Sequence, residues 1–366
     1  YNVGLLSGVP TQVVSAANTI IRQTAEPAAL GIVGVEKTLA GTILFNKELA
    51  LEGRKEALYS LGQLAGGITN LHNTAWAGIK SWWYNKPITG TSRFAKKVET
   101  LAQKQAVIDR NYLAYKQVLS DQNATPDKLF FAWAEYVMQT VGNNFLTSQP
   151  TRLLMAQDSA ATSTAFYGTL AGKAMIADNG KPFARNFYDL KKGALGKSGD
   201  IFKGIRDLDL LEAAKTTTFQ REIPTGADAN QVDKLFGAIA TAADESGILK
   251  FFAPFARISW DFLDQAVIAG VGSLPVVGGK VLSGMNPRYA KMLSGEMGPA
   301  IQMQAKGTMA AAQLFLMFGT WQAVQGNMTG KQSGNLPKDS FVVPSETTDS
   351  GFMALPYGRI QPFAAY

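Results

Sequence analysis

The sequence predicts a mostly α, elongated multi-helix assembly subunit with a short extended C-terminal segment. Three observations lead there. Only 17% of the 366 residues are charged while 46% are apolar, so solvating surface is scarce relative to surface that seeks cover. Glycine is abundant, at 36 residues, and stands beside much alanine, a composition that lets helices approach closely in membranes and tight oligomers. Apolar residues recur at helical spacing along most of the chain, and two-residue alternation is rare.

Four apolar-leaning runs carry no charge: Tyr1–Ile21, Ala57–Ile79, Gln265–Gly279 and Gly307–Gly330. A bilayer span needs about 20 mostly apolar residues. Gly307–Val324 approaches that, but two Gln and two Thr dilute it. Each run taken alone reads first as a plain buried core helix, and the set looks like helices that could be buried in an assembly and later insert in lipid.

Four further helices are predicted. Lys96 to Leu119 is charged and periodic, and Asp127 to Val141 is rich in aromatics and opened by Thr125-Pro126-Asp127. Arg152 to Ala177 and Asp233 to Asp244 complete the set, the last with Gly247 as its cap. Only Phe341-Val342-Val343 and Tyr357-Gly358-Arg359-Ile360 read as extended. Breaks are expected at Asn85–Thr91, Asp178–Pro182, Ile223–Gly226 and Gly330–Ser350, where Gly, Pro, Asn and Ser gather.

These breaks suggest four regions. Residues 1–120 form a helical region with a basic aromatic patch, and 121–250 a helical middle. Residues 251–330 form a Gly/Ala-rich apolar helical region, and 331–366 an extended tail. The chain begins at Tyr1 without an initiator Met and is read as a portion of a longer polypeptide.

Several chemistries fall away on composition. There is no Cys, hence no disulfide framework or thiol nucleophile. His72 is the single histidine, which removes multi-His metal sites and any triad not built on it. His72 has no carboxylate nearby in sequence and is read as a surface or structural residue. No cofactor is called for.

The net charge of +7 is concentrated. Lys80, Lys86, Arg93, Lys96, Lys97, Lys104 and Arg110 face only Glu99 and Asp109 in one stretch. Lys181, Arg185, Lys191, Lys192, Lys197, Lys203 and Arg206 face only Asp189 and Asp200 in another. Such patches suit phosphate, whether of DNA or of a lipid headgroup, and a solvated helix face is the alternative. Lys80-Ser81-Trp82-Trp83-Tyr84-Asn85-Lys86 adds aromatics to lysine. That grouping fits a membrane interface, stacking on single-stranded nucleic acid, or a Trp pair buried under a turn. The candidate lipid- or DNA-facing residues are Lys80, Trp82, Trp83, Lys86, Arg93, Lys96, Lys97, Lys191, Lys192 and Lys197.

Other motifs fail on spacing. Gly193-Ala194-Leu195-Gly196-Lys197-Ser198 lacks the earlier glycine of a phosphate loop, since Lys191 stands there. Asp244-Glu245-Ser246-Gly247 resembles the Glu-Ser of lytic transglycosylases, but Ile248-Leu249-Lys250 replaces the cleft-forming segment that should follow. Asp207, Asp209 and Glu212 match no cation-binding loop.

An ordered set of segments carries a family resemblance. It comprises Leu5–Asn18, with its Ser7-Gly8-Val9-Pro10-Thr11 entry, and Gln149-Pro150-Thr151-Arg152-Leu153-Leu154-Met155-Ala156-Gln157-Asp158. It continues through Thr218-Phe219-Gln220, Phe252-Ala253-Pro254-Phe255-Ala256-Arg257, and the Gly-rich apolar stretch Arg288–Gly330. Together they resemble the C-terminal half of the large internal virion proteins of short-tailed, autographivirus-type phages. Ile258-Ser259-Trp260 and Lys331-Gln332-Ser333-Gly334 depart from the pattern.

The resemblance implies a virion protein of the internal core on the portal, ejected with the genome and helping to form a DNA conduit across the host envelope. It implies a homo-oligomer whose partners are other core proteins, the portal, the passing DNA and, after ejection, the host inner membrane. No enzymatic role is expected within this segment. Arg152, Asp158, Pro254, Phe255 and Arg257 then read as structural positions, with Arg152 and Arg257 pairing to carbonyls or carboxylates. Rival expectations are a pore-forming or membrane-associated protein unrelated to phage, a murein hydrolase acting through Glu245, and a pure DNA-packing protein.

Overall fold

The computed structural model describes residues 9–84, 86–88, 101–121, 124–143, 149–177, 180–218, 220–224, 229–245, 253–274, 277–324, 328–329, 340–344 and 352–356. Among them the fold is mostly helical. In chain order the helices are α1 (Val9–Ile43), α2 (Lys47–Thr69), α3 (Leu71–Tyr84), α4 (Leu101–Ser120), α5 (Pro126–Asn143), α6 (Gln149–Ile176) and α7 (Phe183–Leu195). Two 3₁₀ turns follow, and then α8 (Leu208–Thr217), α9 (Gln231–Glu245), α10 (Ala253–Gly272), α11 (Gly278–Met285), α12 (Pro287–Ser294) and α13 (Pro299–Val324). Three short antiparallel strands close the described chain: β1 (Met328–Thr329), β2 (Ser340–Pro344) and β3 (Phe352–Pro356). Phe341 lies opposite Leu355 and Val343 opposite Met353, so the extended reading of 341–343 holds, while 357–360 lie outside the described residues.

Helices α1 and α2 form an antiparallel hairpin whose backbones nearly touch. A Cβ added to Gly34 would lie 2.6 Å from the Ala57 nitrogen, and one on Gly41 only 2.4 Å from that of Ala50. Only glycine permits that approach. Helix α2 then meets α6 in the same manner: a Cβ on Gly66 would sit 2.7 Å from the Tyr167 carbonyl oxygen, and one on Gly168 2.8 Å from that of Gln63. Pro27 stands inside α1 and cannot donate a backbone hydrogen bond. Its carbonyl accepts from the Ser60 hydroxyl at 2.5 Å, tying the hairpin at that level.

Helix α13 is the centre of the molecule. Ala300 joins a cluster with Phe166, Leu170, Leu195, Phe202 and Leu210. Ile301 and Ala305 join Ile268, Leu282, Tyr289 and Met292. Met303 meets Leu30 and Tyr59, and Ala310 and Ala311 meet Ala29. A helix enclosed on all sides is apolar all round, which accounts for the absence of charge over 307–312, where α13 is enclosed. Among the described residues no helix is long and apolar enough to cross a membrane. The first half of the Gly307–Gly330 run is therefore core. Leu316, Met317, Phe318 and Trp321 near its end are exposed.

The N-terminus of α13 is capped from a distance. The Asp209 carboxylate accepts from the backbone N–H groups of Ala300 and Ile301, each at 3.1 Å. Those N–H groups have no intrahelical partner, and the negative charge suits the helix dipole. Asp209 and Asp207 also bind the Lys173 ammonium at 2.9 and 3.1 Å. A lysine thus fills the place a metal would take among these acids. Burial alone would lower the Lys173 pKa, but the two carboxylates outweigh it and raise it.

Candidate functional site

The aromatic-basic segment at the end of α3 is only partly open. The Lys80 ammonium lies 2.9 Å from Asp200 and 4.6 Å over the Phe202 ring, so it stitches α3 to the second 3₁₀ turn. The two basic stretches of the sequence therefore meet at this point. Burial raises the Asp200 pKa, but the Lys80 hydrogen bond, the Phe202 N–H and the nearby lysines bring it below the usual value. Trp82 is half-buried and Trp83 exposed, with ring centroids 5.9 Å apart. Arg152 donates from Nη1 to the Trp82 and Trp83 carbonyls at 3.2 and 3.3 Å. Pairing of Arg152 with carbonyls, expected from the sequence, is what the geometry has, and the cation at that helix C-terminus suits the dipole.

The remaining candidates divide. Lys191 is half-buried, its ammonium 5.3 Å over the Tyr167 ring. Lys86, Lys192 and Lys197 are exposed. Asp158 is buried in α6 beside Ser159. Pro254, Phe255 and Arg257 lie on the first turns of α10, and their side chains are outside the described residues, as are Arg93, Lys96 and Lys97. His72 is exposed at the start of α3.

The most elaborate polar constellation was not legible in the sequence. Arg221 is buried and donates through Nε to Asp261 Oδ1 at 2.8 Å and through Nη2 to Asp264 Oδ2 at 2.6 Å. Arg288 forks onto both Asp264 oxygens at 3.1 and 3.2 Å, and the Tyr289 hydroxyl donates to Oδ1 at 2.7 Å. Trp260 stands under both guanidinium groups, 5.2 and 5.3 Å from its ring, and its indole N–H donates to Asp233 at 2.7 Å. Burial raises the Asp264 pKa, yet Arg221, Arg288 and the Tyr289 hydroxyl together hold it below the ordinary carboxylate range. Arg221 and Arg288 balance Asp261 and Asp264, and these four side chains lock α10 and α12 to the 220–224 segment. No local pattern marks the pair, because Arg221 and Asp261 are 40 residues apart.

A cavity of about 80 Å³ opens beside this network, with Gln265, Arg288, Met292, Ile301, Gln304 and Thr308 in its walls. Gln304 Oε1 is buried without a protein partner. The space suits several ordered waters, which need such polar partners. A second ionic group joins three helices: Lys306 of α13 and Lys37 of α1 converge on Glu52 and Glu56 of α2. Burial raises the Glu52 pKa, but the bond and charge of Lys306 and the charge of Lys37 bring it to about 2.

Among the described residues no three His, Cys, Asp or Glu side chains gather as a metal site. Glu245 is the last residue of α9, and Ser246 lies outside the described residues. Large apolar side chains, by contrast, are left open in number: Ile32, Val35, Leu39 and Leu51 on the hairpin, and Leu71, Trp76, Ile79 and Trp83 on α3. Comparison with protein families, with curated proteins and with solved structures finds no match for the chain.

Proposed function

We propose that this chain is a structural subunit of a phage internal core that oligomerises, leaves the particle with the genome and helps to line the conduit through which DNA passes. The observation that carries this reading is the apolar surface left uncovered along α1, α2 and α3. Contiguous apolar patches of more than a few hundred Å² mark interaction sites. The family resemblance names the assembly. The exposed Lys86, Arg185, Lys192, Lys197 and Lys203 supply cations for passing phosphates.

Sedimentation of the full chain over a wide concentration range is the test. Discrete oligomers support the assembly reading, and a monomer at every concentration sinks it. Salt-dependent retention of duplex DNA, lost on neutralising Lys192 and Lys197, would support contact with DNA. A second reading, a membrane-associated protein unrelated to phage, draws on exposed Trp76, Trp83 and Tyr84 next to Lys86, a grouping suited to headgroup depth. Flotation with anionic vesicles that survives high salt, in a chain that stays monomeric, would favour it.

A further inference from the structure

We infer that the junction between the end of α3 and the 3₁₀ turns at 196–203 binds a single strand of nucleic acid. Unpaired bases stack on Trp83 and Tyr84, and phosphates pair with Lys86, Lys197 and Lys203, a contact that neither the assembly reading nor the membrane reading requires.

The fold brings distant stretches of chain to this place. Lys80 bonds Asp200 at 2.9 Å and lies 4.6 Å over Phe202, so the last turn of α3 abuts the 3₁₀ turns Gly196–Ser198 and Ile201–Lys203. Trp83 and Tyr84 follow Lys80 within about one helical turn, each 67% exposed. Lys197 and Lys203 are exposed and stand three residues to either side of Asp200. Lys86 is exposed too, and its N–H donates to the Ser81 carbonyl at 3.2 Å, which folds it back on the helix end. The Asp200 carboxylate is neutralised by Lys80, whereas Lys86, Lys197 and Lys203 make no ion pair among the described residues. The face is therefore cationic around two open rings, which complements a polyanion.

The rings are held in place. Arg152 donates to the Trp82 and Trp83 carbonyls at 3.2 and 3.3 Å, and the half-buried Trp82 ring lies 5.9 Å from that of Trp83. The same guanidinium covers the negative end of the α3 dipole, which otherwise repels a phosphate. Aromatic faces set among cations bind single strands without sequence preference. A duplex keeps its bases stacked inside and has no free base for the rings. A membrane engages a different face of α3: Trp76, Ile79 and Trp83, spaced three and four residues apart, form its exposed apolar stripe. Tyr84 lies about 100° round the helix from Trp83, on the side of Lys80 and the basic turns.

Fluorescence anisotropy of the full chain with a short labelled oligo-dT strand, and with a duplex of the same length, is the test. The strand is expected to bind the more tightly. Its log affinity should fall against log salt with a slope of about −2 for three phosphate contacts, and about −0.7 when Lys197→Gln and Lys203→Gln are combined. Trp83→Ala and Tyr84→Ala should each weaken strand binding about 5- to 100-fold and leave the duplex unchanged, whereas Tyr84→Phe keeps the ring and the affinity. Both side chains stand outside the core, and the lysine changes probe the same face should either aromatic variant melt early. Unchanged strand binding in either alanine variant, or a duplex bound as tightly as the strand, overturns the inference and leaves the assembly reading intact. Absence of strand binding at low salt overturns it as well. Salt-resistant flotation on anionic vesicles that Trp76→Ser abolishes, with no strand binding, assigns the end of α3 to lipid instead.

Discussion

Arg221 and Asp261 hold one another twice: the guanidinium binds the carboxylate at 2.8 Å, and the Arg221 backbone N–H points at the other oxygen at 3.4 Å. Both side chains are almost wholly out of water. Removing one partner of such a pair strands the other charge, at a cost of about 3–5 kcal/mol. Arg221→Ala is expected to lower the urea midpoint accordingly. Arg221→Ala combined with Asp261→Ala should cost less than the two single changes summed. Additive losses would show that the two residues act independently.

Two adjacent glycines should respond with opposite signs. A Cβ on Gly66 would lie 2.4 Å from Ala171 Cβ and 2.7 Å from the Tyr167 oxygen, whereas on Gly67 the nearest atom is at 3.5 Å. Gly66→Ala overpacks the α2–α6 contact and should cost about 1–3 kcal/mol. Gly67→Ala gains helix propensity and should stabilise by up to about 1 kcal/mol. Thermal melts of the two variants decide it.

Phe45→Gly removes an unfavourable backbone conformation, φ +53° at an exposed residue, without touching the core. The expected gain is about 0.5–1 kcal/mol, read as a raised urea midpoint with an unchanged slope. A loss of stability would mean that the Phe45 ring packs on its own chain.

Acid should act on the ionic group around Lys306 in a defined window. The Glu52 pKa is lowered from 4.5 to about 2, so its stabilising contribution is complete above about pH 4.5 and disappears as pH falls toward 2. The Lys306 pKa is raised above its ordinary 10.5, burial opposing but Glu56 and Glu52 prevailing, so its share is lost only as pH rises beyond that value. Glu52→Gln should flatten the acid limb of a stability profile between pH 2 and 5, and an unchanged limb would contradict this.

Local signals were readable and distant ones were not. Thr125-Pro126-Asp127 announced α5, which begins at Pro126, and the helices expected at 152–177 and 233–244 run over 149–176 and 231–245. Each depends on caps and periodicity within a few residues. The charge-free run Ala57–Ile79, taken as one segment, is instead cut at Asn70, whose N–H and side-chain amide bind the Gly66 carbonyl and end α2. Helix α1 continues through Pro27, because α2 and α13 pack along its length. The basic aromatic segment was visible in the sequence. Its attachment through Lys80 to Asp200, 120 residues away, was not, since no local pattern encodes such a pairing.

The position of α13 at the meeting of all four apolar clusters sets the order of events during synthesis. Ala29 emerges from the ribosome some 280 residues before Ala310 and Ala311, the side chains that cover it, and Leu30 precedes its cover, Met303, by about as many. At about 5–20 residues per second the interval is roughly 15–60 s. Throughout it the hairpin and α6 are nascent surfaces without their keystone. Those apolar faces gain their last cover only when the final long helix has been made.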